Sequence, residues 1–181
     1  SFFATVVRIT TDDGVSGIGE CIVRASPRVT AAIVEDMLAP ILIGRDPRDI
    51  EGLFQDMHAI MRARGHSRGF MIEAIAGVDM ALWDIVARYQ KASIGKALGG
   101  CGLTRVPCYA SSIMIREMDL MEKEAYEVAK QGFSSIKVKV GLGSTQKDVE
   151  LLRRIRGAVG DDVALSVDAN SCYSAADAIE V

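Results

Sequence analysis

The stretch 135–170, SIKVKVGLGSTQKDVELLRRIRGAVGDDVALSVDAN, holds two short apolar runs with a helical pattern between them. Ser135 to Val140 and Val163 to Asp168 read as strands, and Lys147 to Val159 reads as the helix that joins them. A crossover of that length is not a hairpin, so the two strands lie parallel in one sheet. Upstream, Asp119 to Gln131 repeats the helical pattern and Val106 to Ser111 the strand pattern; downstream, Ser174 opens another helix. Strand–helix alternation of this kind makes a parallel sheet, open or closed into a barrel. A complete eightfold barrel takes about 250 residues. Only some three units fit here, so a barrel would be incomplete.

The texture changes at Gly99-Gly100-Cys101-Gly102, which stops the preceding helix and marks a domain boundary. We expect one domain over 1–103 and the barrel portion over 104–181. In the first, Phe2 to Thr10 and Gly17 to Val23 flank the turn Asp12-Asp13-Gly14 and read as a hairpin. Pro27 to Leu38 reads as a helix ended by Pro40, and Pro47 to Met61 as another with Asp46 as its N-cap. Met71 to Tyr89 is the strongest helix, with Ile75, Val78, Leu82, Ile85 and Val86 on one stripe. The opening strand has no lead-in and the final helix has barely begun at Val181, so both ends read as cut.

Chemistry concentrates in two places. In a strand alternate side chains share a face, so Lys137 and Lys139 point the same way while Val138 packs on the other side. Each ammonium disfavours the other, and burial acts in the same direction, so a lysine here can be neutral near pH 7 and serve as a general base. The plainer reading is a solvated edge strand carrying lysines against aggregation. Asp168 and Asn170 share a face where the next strand gives way to its loop, the end at which parallel α/β folds gather ligands. A carboxylate beside an amide oxygen suits a hard cation such as magnesium; the plainer reading of Asp168 is a helix N-cap. A dinucleotide fingerprint fails, because Gly141-Leu142-Gly143 is followed by Gln146 where a third glycine is needed. A phosphate-receiver domain fails too, since Val106 to Ser111 offers no acidic pair.

Several segments together resemble the enolase superfamily, in its mandelate racemase and muconate-lactonizing branch. They are Ala76-Gly77-Val78-Asp79-Met80-Ala81-Leu82-Trp83-Asp84, Leu98-Gly99-Gly100, Val106-Pro107-Cys108-Tyr109-Ala110-Ser111, Lys137-Val138-Lys139 and Val167-Asp168-Ala169-Asn170, in order over nearly the whole chain. The resemblance implies an α+β capping (lid) domain followed by a modified (β/α) TIM-type barrel, and magnesium-dependent removal of the proton alpha to a carboxylate through an enediolate. By that resemblance Lys139 is the base, Lys137 its neighbour at the substrate carboxylate, Asp168 a metal ligand and Asn170 a residue near metal and substrate. It also places a loop at Cys21 to Pro27 over the barrel mouth, where Arg24 can meet the distal end of a substrate; the plainer reading of Arg24 is a solvated loop charge. The remaining acidic ligands and the opposite-face acid or base belong to later strands and are not in these residues. Trp83 and Leu82 are read as packing for the lid helix.

The reaction expected is acid-sugar dehydration. Racemisation, epimerisation or cycloisomerisation of a carboxylate are the alternatives, as is a catalytically incompetent fragment that acts only in folding or assembly. Composition is that of a soluble globular protein and not of a disordered tail. Of 181 residues, 49% are apolar and 25% charged, and the net charge of −3 argues against a nucleic-acid partner. No apolar run has the roughly 20 residues of a membrane helix. The scattered Cys21, Cys101, Cys108 and Cys172 lack metal spacing and read as reduced thiols of a cytoplasmic protein. His58 and His66 read as surface or packing residues. A homo-oligomer is expected of the full-length protein.

Overall fold

The structure, a computed structural model, describes residues 3–23, 26–100, 102–103, 105–141 and 143–181, with only the backbone at 112. It divides into two compact units, Ser1–Leu103 and Thr104–Val181.

The first unit is built around one helix and one hairpin. Strands β1 (Thr5–Thr10) and β2 (Ser16–Cys21) pair antiparallel from Thr5↔Cys21 to Thr10↔Ser16. The turn between them places Gly14 at φ +86°, a left-handed conformation that glycine adopts without strain. Gly17, Gly19 and Cys21 alternate onto one face of β2 and are buried there. They meet α4 (Phe70–Tyr89), whose Gly77 and Ala81 let strand and helix approach to backbone contact. A Cβ at Gly19 would strike the carbonyl oxygen of Gly77, and one at Gly77 would strike Cys21 Sγ. Asp84 ties the same seam by accepting the Ile18 N–H at 3.0 Å. Ile75, Val78, Leu82 and Ile85 are buried as the stripe requires; Val86 is only partly covered, and Ala87 is buried instead. Leu82 lies at 2% exposure, whereas Trp83 is half-buried.

Two helix boundaries differ from expectation. The helix opened by α1 (Pro27–Ala32) does not stop before Pro40. It widens into a π-helical turn (Ile33–Leu38) and continues as α2 (Ala39–Leu42). Proline lacks the N–H of the regular ladder and its ring crowds the carbonyl four residues back, and a π turn relieves both. Asp46 is not an N-cap. Its carboxylate is taken by Arg48, through the backbone N–H at 2.9 Å and the guanidinium at 2.7 Å. That pairing holds Asp46 down at a pKa of about 2. The helix α3 (Ile50–Arg62) starts later, capped by Asp49 accepting from the Gly52 N–H. His58 of α3 stacks against Phe54 at 4.4 Å between ring centres, and His66 is exposed. A short α5 (Ile94–Ala97), capped by Ser93, ends the unit.

The second unit is a three-stranded parallel sheet with strand–helix alternation, and its spatial order follows the chain. It runs β3 (Ala110–Ile113), α6 (Met118–Lys130), β4 (Ser135–Lys139), α7 (Thr145–Val159), β5 (Ala164–Asp168) and α8 (Ala175–Glu180). The first strand begins at Ala110, not Val106. Pro107 has no donor for a ladder, and Val106 and Cys108 are exposed. Central β4 pairs with both neighbours and buries Ile136 and Val138 completely against Met121, Ala125, Leu151 and Ile155. Each such aliphatic side chain contributes about 1.5–3 kcal/mol on burial. Among the described residues no helix is long and apolar enough to cross a membrane. The described cysteines Cys21, Cys108 and Cys172 are free.

Candidate functional site

The alternation of β4 sends Ile136, Val138 and Val140 into the helix-covered core and Lys137 and Lys139 to the opposite face. Register then decides what the lysines meet. Lys137 pairs with Ser166 and Lys139 with Asp168, so the acid at the end of β5 stands directly beside the last lysine of β4. One oxygen, Asp168 Oδ2, accepts from Lys139 Nζ at 2.7 Å and from Lys137 Nζ at 3.0 Å. All three side chains keep about a fifth to a quarter of their surface exposed.

This geometry changes the electrostatics expected of the lysine pair. Two ammonium groups alone would depress each other, but Asp168 lies between them. Its hydrogen bond is the main cause that raises the pKa of Lys137 above the usual lysine value. Asp168 is held well below the ordinary carboxylate range, first by Lys139, then by Lys137 and the Asn170 N–H. Lys137 also lies 5.9 Å from the centre of the Tyr109 ring, a cation–π contact.

Asn170 joins the site through its backbone, whose N–H donates to Asp168 Oδ1 at 3.0 Å. Asn170 and Ser171 occupy the left-handed region, at φ +46° and +65°. Asparagine is among the few non-glycine residues that tolerate this. Asp168 therefore caps its own turn and not the next helix. The cap of α8 is Ser174, in a reciprocal capping box with Asp177. Lys137, Lys139, Asp168 and Asn170 thus form one cluster at the carboxyl ends of two adjacent strands. Arg24 lies outside the described residues.

The carboxylate of Asp168 is a donor of the type that magnesium prefers, but one carboxylate is a fraction of a shell of about six oxygens. Among the described residues no group of three or more His, Cys, Asp or Glu could enclose a metal ion. The residues present fit one ligand position and not a whole site.

Two further features escaped sequence reasoning. Beside Lys139 lies a cavity of about 190 Å³, rimmed by Arg116, Lys147 and Asp148. The buried Asp148 also binds both site loops, through the Gly141 N–H and the Tyr173 hydroxyl. Neither had a signal in the sequence, because Asp148 falls in the first turn of a helix, where acids are common. A larger cavity, about 860 Å³, lies in the first unit between β1 and the 42–48 segment. On its rim Arg48 pairs with Asp46, and Arg45 pairs with Asp56. It holds no constellation comparable to the lysine–aspartate cluster, so chemistry and not volume identifies the candidate site.

Residues 3–99 match the family described as mandelate racemase/muconate lactonizing enzyme, N-terminal domain, and residues 120–181 match the enolase C-terminal domain-like family. The chain is 39% identical over 177 residues to an arabinonate dehydratase of Saccharolobus solfataricus, covering 96% of this chain and 47% of that protein. Its fold matches the crystal structure of a 3,6-anhydro-D-galactonate cycloisomerase from Zobellia galactanivorans with a TM-score of 0.86 and 32% identity, over 98% of this chain and 48% of that one. It also matches a racemase from Streptomyces coelicolor solved with bound magnesium, with a TM-score of 0.86 and 31% identity, over 96% of this chain and 52% of that one. The chain spans about half the length of the curated relatives it matches. Its two units are accordingly an N-terminal capping domain and part of an enolase-type barrel.

Proposed function

We propose a proton-abstracting function from one premise: the chain belongs to the mandelate racemase/muconate lactonizing enzyme branch of the enolase superfamily. The complete protein removes the proton alpha to the carboxylate of a small acid, and Lys139 is the base. The observation that carries this reading is the meeting of Lys137, Lys139 and Asp168 at the carboxyl ends of adjacent parallel strands.

Each residue has a part. Lys139 accepts the proton, and Lys137 stands beside it on the same oxygen of Asp168. Lys137 also offers a cation to the substrate carboxylate. Asp168 would be one of the residues that hold a magnesium ion, and Asn170, next to it, would meet the substrate. By the family resemblance, Arg24 would offer the distal end of the substrate a planar fork of donors. Bound magnesium supplies Lewis-acid stabilisation of negative charge on the substrate carboxylate.

The similarity to an arabinonate dehydratase supports dehydration of an acid sugar as the overall reaction. The similarity to an anhydrogalactonate cycloisomerase supports a second reading, cycloisomerisation of a related acid. Both start from loss of the alpha proton, so one experiment tests the common step. The complete protein carrying Lys139→Ala is incubated in deuterated solvent with magnesium and a panel of five- and six-carbon sugar acids. Exchange of the alpha proton should fall by roughly a hundredfold or more, the usual contribution of a positioned base. The melting temperature should stay near wild type. Exchange at the wild-type rate would remove Lys139 from the reaction.

A further inference from the structure

Asp148 stands out in the second unit, because it is the one charged side chain among the described residues that is buried, at 7% exposure. The helix that carries it does not need it, since Ser144 already caps α7 by accepting the Lys147 N–H. Burying a carboxylate costs more than burying an apolar group of similar size, so stability alone does not account for it. Its contacts do. One oxygen, Oδ2, accepts from the Gly141 N–H at 3.1 Å and from the Tyr173 hydroxyl at 2.7 Å. Gly141 stands two residues beyond Lys139, and Tyr173 five beyond Asp168.

The two loops held by that oxygen also touch. The Val140 N–H donates to the Asp168 carbonyl at 3.2 Å. Gly141 has φ +93°, and a Cβ there would lie 3.0 Å from the Cys172 Cβ and 3.4 Å from that of Ala169. Glycine is required twice over, by conformation and by space. We propose that Asp148 is a positioning residue that sets the separation of Lys139 from Asp168 by latching the loops after β4 and β5 to a single carboxylate oxygen. Tyr173 serves the latch as a lasting donor: burial and the Asp148 charge raise its pKa above the usual phenol value, so its proton stays in place. The effect on rate rests on the proton-abstraction reading; the latch itself does not.

The test uses the complete protein and two variants, Tyr173→Phe and Asp148→Asn. The first removes only a hydroxyl, so it guards against a fold lost in the second. Backbone amide exchange at 139–141 and 169–173 should quicken by roughly tenfold or more in both variants, as expected for weakening of a hydrogen bond to a charged group. The core of α7 around Leu151 and Ile155 should keep wild-type protection, which separates a released latch from general destabilisation. On a sugar acid that the wild type exchanges, kcat should fall by roughly tenfold with KM altered less than about twofold, the pattern of misplaced catalytic groups. Wild-type protection of both loops in both variants would overturn the latch. Released loops with an unchanged kcat would overturn the positioning role. Released loops in a protein whose wild type exchanges no sugar acid would leave the latch standing and remove the activity reading instead.

Discussion

Asp168 receives three donors, two ammonium groups and one backbone N–H. A carboxylate so placed is fully ionised in the physiological range, which suits a metal ligand and an ion-pair partner equally. Asp168→Asn distinguishes them, because the amide keeps the size and loses the charge. In the complete protein, activation by magnesium should require roughly tenfold more metal or worse, since affinity for a hard cation follows the charge of its ligands. The melting temperature measured without metal should also fall, because two ammonium groups lose the carboxylate they share. An unaltered magnesium dependence would leave Asp168 as the partner of the lysines alone. At this scale the sequence is informative about which side chains share a face, because strand alternation is a property of the backbone. It is less informative about charge. The mutual depression expected of Lys137 and Lys139 is countered at Lys137 by an acid 31 positions away, and only register brings that acid to the pair.

The seam between β2 and α4 depends on the absence of side chains. Gly17 and Gly19 abut backbone atoms of α4, and neither neighbour is the flexible end of a side chain that could step aside. Gly19→Ala should therefore destabilise the chain by about 1–3 kcal/mol, the usual cost of overpacking, in denaturant unfolding. Gly157→Ala is the counterpart. It lies inside α7 with open space around the added methyl and should stabilise by about 0.5–1 kcal/mol. If the two changes shift stability alike, close approach is not what selects glycine at position 19. The α4 stripe and the strand–helix alternation were readable because periodicity survives without knowledge of partners. Boundaries were not. Asp46 and Asp49 are equally good caps in isolation, and only Arg48, taking Asp46 for itself, decides between them. Pro40 likewise reads as a stop until the π turn shows how the helix passes it.

The second unit carries a parallel sheet whose β5 leaves Ala164, Ser166 and Val167 exposed, Val167 at 48%. Strands of parallel sheets are normally covered on both faces, and an uncovered edge is a template for another chain. The 181-residue chain by itself should therefore associate, its apparent mass by light scattering rising above one chain as concentration increases through the micromolar range. A constant single-chain mass would show that β5 is protected. The same sheet places β3, β4 and β5 side by side in the order in which they occur along the chain. That arrangement has a consequence in time. Every new strand pairs with the one made just before it, so each closure spans only a strand–helix–strand unit and the entropy lost per step stays small. No earlier pair has to open to admit a later strand. During synthesis the sheet can form strand by strand as residues emerge, each strand serving as the landing place for the one after it.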